Sequence, residues 1–269
     1  MAALYINNNG SNKALNNAYG NINGNSKEIF KKFAYLSSIT AGSIIKFNTT
    51  LSGSNNLTDF IVLGTSYNND TVLLLQRYLY ELRAFNSISS SEYNASTIDN
   101  YLSAEVSTTD NYRSKLDESI RNRLTKTSVK SYSFSNKKII NINRDIFLPS
   151  YSELGYSSTS YSYLSDEGIS YLDALKIAAG RTSMDDEARI SVVKSDKTDY
   201  APYYWMRSPG GDVGSNYGDN YVFTVTYNGS SYNGHDIIAT ISNIFIRPII
   251  SLSPTTLIDN INSAYYLIG

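Results

Sequence analysis

The stretch YYWMRSPGGDVGSNYGDNYVF, Tyr203 to Phe223, decides how the rest of the chain reads. It opens on Tyr203-Tyr204-Trp205-Met206, an apolar and aromatic run that suits a core strand. Trp205 is the chain's single tryptophan, and a lone Trp between Tyr and Met belongs to a core more often than to a ligand platform. Arg207 follows, then Ser208-Pro209-Gly210-Gly211, whose turn formers give a sharp exit from the strand. Beyond it, Asp212 to Tyr221 is a Gly-rich loop offering Asn216, Tyr217, Asp219, Asn220 and Tyr221. The stretch thus divides into a scaffold and a displayed loop.

Two neighbouring segments extend this reading. In NIFIRPIISL, Arg247 stands beside Pro248, as Arg207 stands near Pro209. Both guanidinium groups are expected to act as scaffold, bonding loop carbonyls or a carboxylate; anion binding is the alternative. A second loop, TYNGSSYNGHD, offers Tyr227, Asn228, Tyr232, Asn233, His235 and Asp236. If the intervening strands pair, both loops can lie at one edge of the domain. Tyr rings stack on sugar or peptide, and Asn and Asp bond hydroxyls. The alternative is a loop pair left in solvent or buried in an assembly.

Working outward, SIIKFN, LTDFIVLG and DTVLLLQ read as strands, the last short and apolar enough for a buried one. Asn94 or Ser96 can cap a short helix through Ile98, Tyr101 and Leu102. DNYRSKLDESIRNRL predicts a helix, with Leu116, Ile120 and Leu124 at i, i+4 and i+8. NKKIININRDIFLPS predicts a polar turn and then extended chain. Ser150 to Glu153, SYSE, has capping-box spacing, which predicts the start of a short helix. SDEGISYLDALKIAAG predicts a second helix, capped by Ser165 and ended by Gly180. YVFTVTY, DIIATI and NIFIRPIISL predict further strands. The fold class is therefore α+β, with short, mixed or antiparallel strands and two main helices.

The N-terminus carries a repeat. YINNNGSNKALNNA (Tyr5 to Ala18) precedes YGNINGNSKEIFKK (Tyr19 to Lys32), and at an offset of 14 Tyr5, Asn7, Asn9, Gly10 and Lys13 match Tyr19, Asn21, Asn23, Gly24 and Lys27. Each unit centres on Asn-Gly, which tolerates the positive φ angles of a two-residue hairpin turn. Such hairpins are marginal alone, so residues 1–38 are expected to be an attachment module and residues 39–269 the main domain. A frayed tail is the alternative.

Composition narrows the function. The 269 residues carry a net charge of −1, no cysteine and one histidine. Without a basic block, neither phosphate-driven nucleic-acid binding nor polybasic membrane attachment is expected. Thiol chemistry is excluded, and metal sites rich in Cys or His with it. MAALYINNNG has no basic or apolar leader segment, and no apolar run approaches the ~20 residues of a membrane span. The 24 Tyr against 9 Phe exceed what an AT-rich codon bias explains, since that bias enriches Phe as well. A Tyr, Ser, Asn and Gly surface resembles a paratope.

Catalytic constellations are weak. His235-Asp236 lacks a Gly-x-Ser-x-Gly elbow. Asp166 and Glu167 suit a helix start, and Asp185, Asp186 and Glu187 an acidic turn without calcium-loop spacing. No cofactor, metal or catalytic residue is expected, although paired carboxylates for glycoside cleavage stay open.

The order FIVLG…TVLLLQ, YNASTIDNYLS, FLPSYSELGY, YYWMRSPGG and FIRPIISL resembles a bacterial and phage domain of uncharacterised function. Its hallmarks are a Trp-Leu-Arg-Ser-Pro-Gly segment, here Trp205 to Gly210, and a closing Val-Arg-Pro-Ala strand, here Ile246 to Ile249. The resemblance covers roughly Ile44 to Leu252. It implies a C-type-lectin-like fold, related to formylglycine-generating enzymes and phage variable receptor-binding proteins. The enzymes' cysteines are absent, so that activity does not carry over. The calcium-lectin Glu-Pro-Asn or Gln-Pro-Asp loop is absent as well. The N-terminal units resemble hairpin repeats of tail-associated prophage proteins in low-GC Gram-positive bacteria.

Together these resemblances imply a non-enzymatic protein of a phage or tail-like particle, assembled in the host cytoplasm and released by lysis. Its module would dock on other virion proteins, and its multimeric, lectin-like domain would meet host-surface glycan or protein. A purely structural virion component, in the neck, baseplate or capsid decoration, is the first alternative. A polysaccharide depolymerase is the second.

Overall fold

A computed structural model describes residues 5–8, 11–14, 19–22, 25–28, 33–46, 59–104, 111–180, 185–190, 203–211, 218–232, 238–261 and 264–267. Two hairpins come first: β1 (Tyr5–Asn8) with β2 (Ser11–Ala14), and β3 (Tyr19–Ile22) with β4 (Asn25–Glu28). Asn8 faces Ser11 and Ile22 faces Asn25 across two-residue connections, so the sequence period reappears as a strand period.

The remaining strands are β5 (Phe33–Tyr35), β6 (Ile44–Lys46), β7 (Asp59–Thr65), β8 (Val72–Gln76), β9 (Thr127–Ser133), β10 (Lys138–Arg144), β11 (Ile146–Phe147), β12 (Tyr204–Pro209), β13 (Val222–Val225), β14 (Ser231–Tyr232), β15 (Ile249–Leu252), β16 (Leu257–Ile261) and β17 (Ala264–Leu267). An eight-stranded sheet runs β11-β15-β8-β7-β6-β17-β16-β5. Every pair in it is antiparallel except β17 with β6. A second sheet is β12-β13-β14, and β9 pairs with β10 as a ribbon. The mostly antiparallel sheets and the five short helices among the described residues are compatible with the α+β class.

All five residues of β8 are buried, as are the first five of β7. Covering both faces of these strands removes the need for polar alternation, so they read as continuous apolar runs. Helix α4 (Leu172–Ala179) packs against β7, and α1 (Thr97–Ser103) against β11. Ser96 caps α1 by accepting from Asp99 N at 3.1 Å. Asn94 instead accepts from Arg144 Nη2 at 3.1 Å.

Both predicted long helices are corrected. The segment from Asn111 forms two single turns, α2 (Tyr112–Lys115) and α3 (Glu118–Arg121). Leu116 is extended at ψ 149°, and two caps compete: Asn111 closes a capping box with Ser114, while Asp117 accepts from Ser119 N at 2.8 Å. Arg121 Nη1 takes the Leu116 carbonyl at 2.8 Å and so satisfies the break. The second helix starts at Leu172, not after Ser165, and Tyr171 caps it without a side-chain bond. Glu167 has left the helix and is fully buried. Gly180 is the C-cap. The acidic turn is the start of α5 (Asp185–Ile190), where Asp185 pairs with Lys176 at 2.7 Å and Asp186 with Arg189 at 2.6 Å.

Strand limits shift near proline. Of DIIATI, the described residues 238–241 form no strand: Ile238 makes one isolated bridge to Tyr221 before a turn, and Asp236 and Ile237 lie outside the described residues. In NIFIRPIISL only Ile249–Leu252 joins the sheet, since Pro248 has no N–H to donate; its carbonyl still accepts from Gln76 N at 2.9 Å. Strands β16 and β17 have no counterpart in the sequence reading.

Candidate functional site

Trp205 is fully buried in β12, its Nε1 donating to the Arg83 carbonyl at 2.8 Å and its ring 5.6 Å from that of Phe85. Two residues on, Arg207 is also fully buried, and all five of its N–H groups have acceptors. Nε donates to Lys130 O at 2.9 Å and Nη1 to Leu148 O at 2.7 Å. Nη1 and Nη2 reach the two Glu153 oxygens at 2.6 and 2.7 Å, and Nη2 also reaches Glu167 O at 2.7 Å. One side chain thereby joins β9, the segment before Glu153, the Glu167 loop and β12.

The SYSE capping box forms, but on a turn. Ser150 N donates to Glu153 Oε2 at 3.0 Å, and Glu153 N donates to Ser150 Oγ at 3.2 Å. The turn ends at Gly155 without propagating. The box orients Glu153 toward Arg207, which makes a bidentate pair in a water-poor interior. Gly168, at φ 158°, lets the next loop pass: a Cβ there would lie 2.7 Å from Glu153 Cγ.

Glu167 is the second carboxylate of this cluster. Its Oε1 accepts from Tyr132 N at 2.8 Å, and its Oε2 accepts the Ser208 hydroxyl. Ser208 Oγ in turn accepts from Tyr151 N at 2.8 Å. Burial pushes the Glu167 carboxyl up to about 7 from its ordinary 4.5, against the lowering pull of Arg207, Ser208 and Tyr132 N. A small cleft opens above the pair between Tyr67 and Ile169, both about half exposed, with the Lys130 ammonium 3.6 Å from the Tyr67 ring centre. It has room for about one water molecule, and Glu153 and Glu167 line its floor.

Arg247 has different surroundings. It too is fully buried, donating from Nε to Gln76 O at 2.9 Å and from Nη1 to Arg189 O at 3.0 Å and to Tyr204 Oη at 3.2 Å. No carboxylate partners it among the described residues, and Nη2 has no hydrogen-bond partner there. Burial lowers its pKa.

Pro209 ends β12 opposite Val222, and Gly210 N donates to Tyr221 O at 2.8 Å, closing the root of the first loop. Tyr163 Oη donates to Gly211 O at 2.6 Å. Asp219 is exposed in a single turn, Gly218–Asn220, while Asn220 and Tyr221 are half buried. Backbone bonds pin this turn: Ser91 N to Asp219 O at 2.5 Å and Ala239 N to Asn220 O at 2.9 Å. Asn216, Tyr217, Asn233, His235 and Asp236 lie outside the described residues.

Tyr227 and Asn228 lie past the other end of β13 from Asp219, Asn220 and Tyr221. These candidates do not share one edge: the four-residue strand, about 13 Å at ~3.3 Å per residue, separates them. Tyr227 and Tyr232 are 57% and 41% exposed, respectively. Asn228 faces solvent, but its Oδ1 serves the turn, accepting from Ser230 Oγ at 2.8 Å and from the Thr226 hydroxyl. Tyr156 Oη fixes the same turn by donating to Gly229 O.

Sequence reasoning marks Glu153 through the SYSE spacing, Glu167 as a helix-start carboxylate and Ser208 as a turn former, but not the clasp they form; the buried pair Arg113–Asp145 and the half-buried pair Arg144–Asp99 escape it. Among the described residues no three His, Asp or Glu side chains are placed to hold a metal ion, and no helix is long and apolar enough to cross a membrane.

No curated protein and no solved structure matches the chain. A family model does, and its limits enclose the whole Arg207–Glu153–Glu167 clasp and both candidate loops. Matching residues 69–254, it places the chain in the family described as a domain of unknown function, DUF6273.

Proposed function

We propose that the protein is a non-enzymatic component of a phage or phage-tail-like particle, displaying a C-type-lectin-like domain for host-surface binding. The observation that carries this reading is the pair of exposed rings on the β13–β14 hairpin. Tyr227 and Tyr232 present 57% and 41% of their surface beside a turn that side chains hold rigid. Exposed, pre-ordered tyrosines lose little entropy on contact and suit sugar or peptide faces. A non-enzymatic role accords with the buried carboxylates: the oxygens of Glu153 and Glu167 already accept bonds from the protein, and the cleft above them has no room for a glycosidic bond.

Binding of the purified full chain to cells of low-GC Gram-positive bacteria, and to their cell-wall glycan, tests the reading. Tyr227→Ser and Tyr232→Ser are expected to weaken retention without lowering thermal stability. Absence of binding even for a multivalent display of the domain would sink it.

A second reading, a structural virion component, is favoured by the two N-terminal hairpins. Each is a separate two-stranded sheet, and such a sheet needs another surface for stability. Locating Tyr227 and Tyr232 inside a subunit interface of an imaged particle would select that reading.

A further inference from the structure

The clasp holds one full positive charge and two carboxyl groups out of water, and its connections are unequal. Every N–H of Arg207 is committed, and its bidentate contact goes to Glu153; Glu167 receives only the guanidinium's bond to its main-chain oxygen. The Glu167 carboxylate has one amide and one hydroxyl as donors. Two like charges in one buried site cannot both be fully compensated by a single cation, so one carboxyl tends to keep its proton. Glu167 lines the cleft between Tyr67 and Ile169 while staying fully buried.

The other charged and titratable groups around Glu167 do not supply a second buried cation. From β9 come Tyr132, through its amide, and Lys130, whose ammonium lies on the Tyr67 ring at the cleft rim. From β12 comes Arg207, and from the turn after Ser150 comes Glu153. Tyr171 lines the cleft on Glu167's own loop, where Asp166 is exposed. From the β7–β8 turn come Tyr67 on the rim and Asp70, held by Ser66 Oγ and by Thr127 Oγ1 at 2.9 Å.

We propose that Glu167 is a proton switch in the joint between the β9–β10 ribbon and β12: protonated, it leaves Arg207 one buried carboxylate to balance, and ionised, it sets a second charge beside Glu153 and so loosens the root of the Pro209–Gly210 loop. This goes beyond the functional reading and does not depend on it. The raised pKa supports the geometry and fixes the sign. A carboxyl that titrates near 7 when folded and near 4.5 when unfolded stabilises the fold fully below the lower value. That stabilisation is lost as pH rises through about 7. Between pH 6 and pH 8 the folding equilibrium constant should fall about tenfold from this group alone.

The test is urea unfolding of the full chain from pH 6 to pH 8, beside Glu167→Gln. Both carry His235→Gln, which removes the chain's one histidine. Wild-type Glu167 is expected to give the fall, and Glu167→Gln a flat profile, because glutamine copies the protonated acid. Infrared spectroscopy should show a protonated-carboxyl band that disappears with a midpoint near pH 7 and is missing in Glu167→Gln. A flat profile with Glu167 present, or the same fall in Glu167→Gln, would overturn the proposal. If Glu167→Gln does not fold, the infrared titration decides alone, and a midpoint below pH 5 overturns it.

Discussion

Arg207 and Arg247 are both fully buried guanidinium groups, yet their removal should cost different amounts. Truncating Arg207 leaves Glu153 facing Glu167 with no cation, and breaking a buried pair in this way costs about 3–5 kcal/mol. Truncating Arg247 strands only carbonyls and a tyrosine hydroxyl, at about 1–3 kcal/mol. Urea midpoints of Arg207→Met and Arg247→Met should therefore rank in that order, and the reverse rank would show that the carboxylates are better hydrated than their burial implies. Gly168→Ala provides a second check. Its Cβ would lie 2.7 Å from Glu153 Cγ at φ 158°, and Glu153 cannot swing away without releasing Arg207, so a loss of about 1–3 kcal/mol is expected. The two arginines stand out in the sequence because each precedes a proline within two residues at an apolar run. Glu167 does not, because its sequence neighbours Ser165 and Asp166 imitate a helix start, and only the long-range bonds from Tyr132 N and Ser208 explain its burial.

At the scale of elements, apolar runs were legible and helix lengths were not. VLLLQ could be read as a buried strand because its pattern leaves no polar face. The segment from Asn111 carried a sound helical period in Leu116, Ile120 and Leu124, yet it broke in two. Local capping overrode the period: Asp117 offers its carboxylate to Ser119 N, and Arg121 absorbs the carbonyl freed at Leu116. Asp117→Ala removes that cap and should cost about 1 kcal/mol in chemical denaturation. No loss, or a gain in helical circular dichroism with no change in midpoint, would mean that the continuous helix is close in energy to the broken one. The candidate loops show the same limit. Their polar and aromatic content was plain, but which end of β13 each would occupy depends on the Thr226–Ser230 turn, and that turn is set by Asn228 and Tyr156 together.

At the scale of the molecule, the eight-stranded sheet reaches beyond the family match. Residues 69–254 include β8, β11 and β15, whereas β5, β6, β7, β16 and β17 lie outside. The far edge is β5, where Tyr35 faces Leu257 and Ala34 faces Ile258. Leu36, directly after it, is fully buried, and its amide donates to Thr256 O at 2.8 Å. Among the described residues, the hairpins before Phe33 make no ladder with this sheet. Two truncations separate the consequences. Removing residues 1–32 leaves every strand pair of the large sheet in place, so the unfolding free energy should stay within about 1 kcal/mol of the full chain. Removing residues 1–38 also takes the edge strand and Leu36, and a buried leucine alone is worth about 2–5 kcal/mol. Equilibrium unfolding of both against the full chain reads the difference. Equal losses would mean that the hairpins lend the sheet stability through contacts other than strand pairing. A loss confined to the longer truncation would place the mechanical boundary of the module at Phe33, with the 14-residue period handing its next strand, β5, to the main domain.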